Sequence, residues 1–172
     1  KAALIGFPTH EDGGNCVSEI IASGIIPAGM EIMDRALILA TDNFSKAGYP
    51  RDVELLLIVE LDGTVSEVDE LINKVSEISK KNNSSNIKIS KSEKERLSFW
   101  IGRKAAFPAC GAMAPDYYCM DGSIPRGKLA EALKEINKLS KKYNLSVANC
   151  FHAGDGNLHP LIMFDGSKKD EL

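Results

Sequence analysis

No two of the chain's four cysteines stand at C-x-x-C spacing, and Cys16, Cys110, Cys119 and Cys150 lie in apolar or mixed surroundings. They read as reduced, structural thiols of a cytosolic protein rather than as a disulfide framework. No apolar run approaches the ~20 residues that span a bilayer, and residues 1–8 are too few for a signal peptide. The chain reads as soluble. Charge of one sign is also scarce: 21 Lys and Arg against 24 Asp and Glu leave a net charge of -3, with no general footprint for nucleic acid or anionic membrane. Neither an internal repeat nor a low-complexity tract is visible. The final Lys169-Asp170-Glu171-Leu172 matches a retention signal of the endoplasmic reticulum, but without a secretory signal the match is coincidental. Position 1 is not Met, the chain opens directly into strand-like Ala2-Ala3-Leu4-Ile5, and it stops soon after a strand. We read residues 1–172 as one domain, cut at both ends from a longer protein.

What is present is an ordinary globular composition, 44% hydrophobic and 26% charged, long enough to bury roughly 70% of the unfolded surface. Residues 2–7 read as a strand. A Glu11-Asp12-Gly13-Gly14 turn and a helix capped by Asn15 follow, then a second helix from Met30 to about Lys46. The continuous apolar run from Val53 to Leu61 is short enough for a buried central strand. Thr64 and Glu67 form a capping box for a helix over 66–80, and Ile87–Ile89 is a short strand. A further helix runs from Ser90 or Ser92 towards Ala106, 116–121 reads as a strand, and Pro125 opens the last helix. Capped amphipathic helices between few, short strands predict an α+β fold, a ferredoxin-like antiparallel sheet with helices packed on one face.

Histidine is rare, three in the whole chain, yet two of them flank one Asp-Gly pair in Phe151-His152-Ala153-Gly154-Asp155-Gly156-Asn157-Leu158-His159-Pro160. A type I′ turn at Asp155-Gly156 would set His152 directly opposite His159 on one face of a hairpin, with Cβ atoms roughly 5 Å apart. Two imidazoles so placed suit zinc, iron or manganese, or else form a cross-strand pair bonded to backbone or water. Nothing nearby completes a metal site, because Asp155 at the turn tip points away. Asp155 and Asn157 are polar groups for a ligand or simply turn formers. Gly154-x-Gly156 lacks the third glycine and the following helix of a dinucleotide fingerprint. Arg103 ends a helix, where it favours the macrodipole or clamps a substrate carboxylate with its planar fork. Of Tyr117 and Tyr118, either one phenol faces a ligand while the other packs, with Tyr118 the candidate, or both are ordinary strand tyrosines.

Three segments carry a resemblance: Gly102-Arg103-Lys104-Ala105-Ala106-Phe107-Pro108, Pro115 to Pro125 (PDYYCMDGSIP) and Val147 to Pro160 (VANCFHAGDGNLHP). Together with Gly24 to Asp34 (GIIPAGMEIMD), they resemble the C-terminal domain of FAD-linked oxidases nearly end to end, most strongly its glycolate-oxidising bacterial branch. The resemblance implies flavoproteins that oxidise 2-hydroxy acids such as glycolate, D-lactate or D-2-hydroxyglutarate. It implies FAD held mainly by an N-terminal domain not contained in these residues, and a C-terminal domain that caps the substrate side. His152 and His159 match the two histidines that, in metal-dependent members, bind a divalent ion with a glutamate from a later Glu-His-Gly segment beyond Leu172. They are the implied catalytic and metal residues. Arg103 matches the arginine that holds the substrate carboxylate, with Tyr118 and Asn157 as further substrate contacts and Gly154, Asp155 and Gly156 on the cofactor side. Phe107 and Cys119 stand roughly where relatives use Thr and Lys for a longer diacid, which favours a small monoacid, glycolate ahead of lactate. Companion subunits, an iron-sulfur one among them, and a cytoplasmic place or a peripheral one at the inner membrane are also implied. The residues alone would be inactive. The rival reading is a non-catalytic ferredoxin-like binding or assembly module.

Overall fold

A computed structural model describes residues 1–172. Its order is β1 (Ala2–Phe7), α1 (His10–Ala22), β2 (Gly29–Asp34), α2 (Arg35–Ser45), β3 (Leu55–Glu60), α3 (Val65–Lys81), β4 (Asn86–Ile89), α4 (Glu93–Lys104) and α5 (Ala106–Cys110). There follow β5 (Asp116–Cys119), β6 (Gly122–Ser123), a 3-10 turn (Arg126–Lys128), α6 (Leu129–Tyr143), β7 (Val147–His152) and β8 (Asn157–Phe164). The strands form one 8-stranded sheet in the order β4-β1-β3-β2-β7-β8-β5, with β6 beside β8. Every pairing is antiparallel.

The segment β4-β1-β3-β2, with α1 and α3 as crossovers, is the ferredoxin-like arrangement predicted from the sequence. The helices, however, do not keep to one face. Alternate residues of β1 and β3 enter separate cores: Ile5, Phe7, Leu55 and Leu57 pack with α1, α3 and α6, whereas Leu4, Leu56 and Ile58 pack with Leu37 of α2, Phe99 of α4 and Cys110 of α5. That explains why β3 is apolar at successive positions. A sheet covered on both sides has no solvent face to alternate with.

Two further expectations are corrected. Helix α1 starts at His10 rather than Asn15, because the Thr9 side chain accepts from Asp12 N at 3.0 Å and caps it there. Gly13 and Gly14 are helical and serve close packing: a Cβ on Gly13 would stand 2.1 Å from Leu55 Cδ2, and one on Gly14 2.7 Å from Ala130 Cβ. The residues 30–46 are not one helix. Gly29–Asp34 is strand β2 between β3 and β7, and Asp34, the last strand residue, accepts from Leu37 N at 3.1 Å and caps α2. No helix is long and apolar enough to cross a membrane.

Candidate functional site

The hairpin of β7 and β8 forms, but in another register. Asp155 does not adopt positive φ, so there is no two-residue I′ turn. Residues 153–156 make a four-residue connection instead, in which only Gly156 is left-handed, at φ 72°. Neighbouring chain holds it there: Gly154 N donates to Met30 O at 3.2 Å, and Gly156 O accepts from Ile124 N at 2.9 Å. His152 therefore opposes Asn157, and Cys150 opposes His159. The slip relative to expectation is two residues, an even number, so both imidazoles stay on one face as diagonal neighbours. Their ring centroids lie 5.2 Å apart, with the planes at 89°.

Across the other ladder His152 opposes Glu31 of β2. A polar row, Glu31, His152, Asn157 and Ser123, thus crosses the strands on the face covered by α2, α4 and α5. Glu31 Oε1 lies 2.7 Å from His152 Nδ1, while Oε2 accepts from Arg103 Nε at 3.0 Å and pairs with Nη2 at 2.9 Å. The Glu31 and Arg103 side chains are only 12% and 13% exposed, against 42% for His152, so the ion pair lies beneath an imidazole that faces outward. Arg103 stands in the last turn of α4, and its backbone N–H donates to the Tyr49 hydroxyl at 3.1 Å. Burial pushes the Tyr49 phenol up to about 12, which keeps that hydroxyl protonated so that it donates to Phe99 O.

His159 Nδ1 lies 3.3 Å from Met120 O, an acceptor. With both Nδ1 atoms facing acceptors, each neutral ring carries its proton on Nδ1 and its lone pair on Nε2. This arrangement, a carboxylate or carbonyl behind each imidazole, orients histidines that ligate metals. Asn157 adds a buried side-chain oxygen without a partner, its amide nitrogen being committed to Asp121 Oδ1 at 3.0 Å. The imidazole pair offers two ligands of a type that divalent ions take. It does not complete a site: no group of three or more His, Cys, Asp or Glu is placed to hold one.

Of the other predicted residues, Gly154 and Asp155 line a cavity of about 460 Å³ together with His152, Glu31 and Arg126, whereas Gly156 is buried against Ile124. Tyr118 is not part of the site. It opposes Ile162, on the face away from the histidines, because strand alternation sends Tyr117 and Cys119 to the site's face instead. Glu31 is the residue that sequence reasoning missed, and the available signal was an acidic residue inside the apolar run Met30 to Met33.

One face of the antiparallel sheet thus carries an imidazole pair, with Arg103 and His152 bonded to the same carboxylate, that of Glu31. The chain belongs to the family of the C-terminal domain of FAD linked oxidases, whose model matches residues 1–172. It is 49% identical over 172 residues to glycolate oxidase subunit GlcD of Escherichia coli (strain K12), covering 100% of this chain and 34% of that protein. Identity is 32% over 172 residues to the same subunit of Bacillus subtilis (strain 168), covering 100% and 37%. It is 31% over 171 residues to a mitochondrial D-lactate dehydrogenase (cytochrome) of Arabidopsis thaliana, covering 98% and 30%. The chain thus spans about a third of the length of these curated relatives. Among solved structures, p-cresol methylhydroxylase with substrate bound matches with a TM-score of 0.65 at 14% identity, over 99% of this chain and 40% of that one. An alkyldihydroxyacetonephosphate synthase matches at 0.62 and 15%, over 94% and 36%. Both likenesses concern the fold.

Proposed function

We propose that this chain is the substrate-side domain of a FAD-dependent 2-hydroxy-acid oxidoreductase that converts glycolate to glyoxylate. The observation that carries the reading is the joint anchoring of Arg103 and His152 on Glu31, which sets an anion-binding group beside an imidazole lone pair. Arg103 gives its Nε–H and one Nη2–H to Glu31, so the two parallel N–H bonds at the Nη1/Nη2 end remain for a bidentate grip on the substrate carboxylate. His152 and His159 meet the substrate hydroxyl through Nε2, and the unpartnered Asn157 oxygen accepts a further proton donor there. Gly154 and Asp155 form the wall that meets the cofactor, and Gly156, buried against Ile124, shapes the turn that carries them. Bound FAD supplies the two-electron acceptor for the hydride leaving C2. His152 and His159 would hold a divalent ion, which would supply Lewis acidity to the substrate hydroxyl. The domain's own contribution is orientation and electrostatics.

Glycolate is preferred to longer diacids because Phe107 and Cys119, which stand roughly where relatives carry Thr and Lys, offer no charge to a second carboxylate. D-lactate is the second reading, favoured by the 31% identity to a D-lactate dehydrogenase; a substrate panel on the full-length enzyme separates the two. Companion subunits, including an iron-sulfur subunit, and a cytoplasmic location, peripheral at the inner membrane, belong to the same proposal. The test is His152→Ala and His159→Ala in the full-length protein. Loss of glycolate turnover with the flavin still bound is expected. Unchanged turnover refutes the reading and leaves a non-catalytic module.

A further inference from the structure

The carboxylate of Glu31 has two oxygens and both are spoken for, one by each group that the proposed function assigns to substrate. Oε1 takes His152 Nδ1 at 2.7 Å, and Oε2 takes Arg103 Nε at 3.0 Å and Nη2 at 2.9 Å. The strand ladder dictates the first contact, since Glu31 and His152 are directly opposed on β2 and β7. The end of α4 dictates the second. We propose that Glu31 is a positioning residue that couples the two substrate anchors, holding His152 with its lone pair on Nε2 and holding Arg103 edge-on. This rests on the function proposed above and adds to it a residue that acts through His152 and Arg103.

An ionised carboxylate only accepts, so its Oε1 demands a proton on Nδ1 and leaves Nε2 able to take a metal ion or a hydroxyl proton. The same ion receives the side edge of the guanidinium, which fixes the plane in which the free Nη1/Nη2 edge lies. Because one rigid planar group serves both, neither anchor can turn without disturbing the other. A glutamine cannot replace it. Its single oxygen accepts from Arg103 or from His152 but not both, and its NH₂ facing Nδ1 would move the imidazole proton to Nε2, where it blocks coordination.

The experiment uses the full-length flavoenzyme with FAD bound and compares wild type, Glu31→Gln, Glu31→Asp, His152→Ala and the double variant Glu31→Gln/His152→Ala. Flavin absorbance and melting temperature identify the variants that fold. Mn²⁺ affinity is read from the spin resonance of the free ion, and kcat and KM are measured with glycolate. For Glu31→Gln, Mn²⁺ affinity and kcat fall by about 10–100-fold, and KM for glycolate rises as Arg103 loosens. In the His152→Ala background the same substitution lowers kcat much less, since its route through the imidazole is gone. Glu31→Asp keeps the acceptors but sits one methylene back; it loses less than Glu31→Gln and carries the test if Glu31→Gln does not fold. Wild-type Mn²⁺ affinity and kinetics in the folded Glu31 variants, or losses that simply multiply in the double variant, overturn the positioning role. If His152→Ala itself keeps full turnover, the proposed function falls instead. If His152→Ala is inactive while Glu31→Gln is unaffected, only the role of Glu31 falls.

Discussion

Replacing Gly156 with alanine tests whether the turn between the two histidine strands is held as described. Its φ of 72° is left-handed, which costs a residue with a Cβ about 1–2 kcal/mol. The added Cβ would stand 2.3 Å from Ile124 O, a backbone atom that cannot move without straining the 2.9 Å bond from Ile124 N to Gly156 O. Losing that bond costs about 1 kcal/mol more, and the stiffer unfolded chain gives back about 0.4–1 kcal/mol. The net loss is about 2 kcal/mol, or about 4–8 °C in Tm for a chain of this size. Gly122→Ala is the control. Gly122 lies one strand away, opposite Leu158, its φ is not positive, and a Cβ there meets nothing within 4 Å, so its cost stays within about 0.5 kcal/mol. Calorimetry or denaturant melts on both variants decide the matter. A Gly156→Ala protein as stable as wild type, or a Gly122→Ala protein equally weakened, would show that the turn is not anchored on Ile124.

Gly102→Ala puts a Cβ 2.3 Å from Tyr49 Cε2; overpacking of about 1–3 kcal/mol outweighs a helix gain of about 1 kcal/mol. Stability should fall, and in the full-length enzyme KM should rise because Tyr49 also holds the Arg103 backbone; a stabilised variant with unchanged KM refutes this. Asp34→Ala strips acceptors from Leu37 N, Asn149 N and Asn149 Nδ2. A loss of about 3 kcal/mol in a denaturant melt is expected from the cap and the orphaned donors, and a loss under about 1 kcal/mol would count against it. Burial pushes the Cys16 and Cys110 thiols up to about 11 and Cys150 up to about 12. The unfolded chain ionises near about 8.5, so the native state holds more protons above that pH, and stability is lost as pH rises through the folded values. Tm should decline from about pH 8.5 upward, and a thiol reagent should label the partly exposed Cys119 first; a flat alkaline Tm or prior labelling of Cys150 would contradict the burial.

Elements whose causes are local were legible in the sequence. The capping box of Thr64 and Glu67 both announces α3 and is found there, and the run Leu55–Glu60 is long enough to mark a buried strand without its neighbours. Strand β2 was not legible. Met30, Met33, Leu37 and Ile38 follow helical spacing, and the strand bears two acidic groups, Glu31 and Asp34, that belong to no apolar face when read alone. Burying them depends on partners far along the chain: Arg103 and His152 for the first, Asn149 for the second. An unpaired buried carboxylate would be prohibitive, so the strand assignment and the ion pairs stand or fall together.

The same dependence shaped what was read of the site. Arg103 and the two histidines could be picked by residue type, and the strand period kept the histidines on one face although the register had slipped. Parity survives any even slip, whereas the identity of the opposing residue does not. Spacing therefore predicted that the imidazoles would meet and was wrong about which residue each one opposes. Cys150, not His152, lies across from His159. The neighbour that matters most to His152 sits on the opposite ladder, on the strand whose existence the local pattern concealed. A site assembled on one face of a sheet is thus read best along the strands and worst across them, since the across-strand contacts join residues as far apart in the chain as Glu31 and His152.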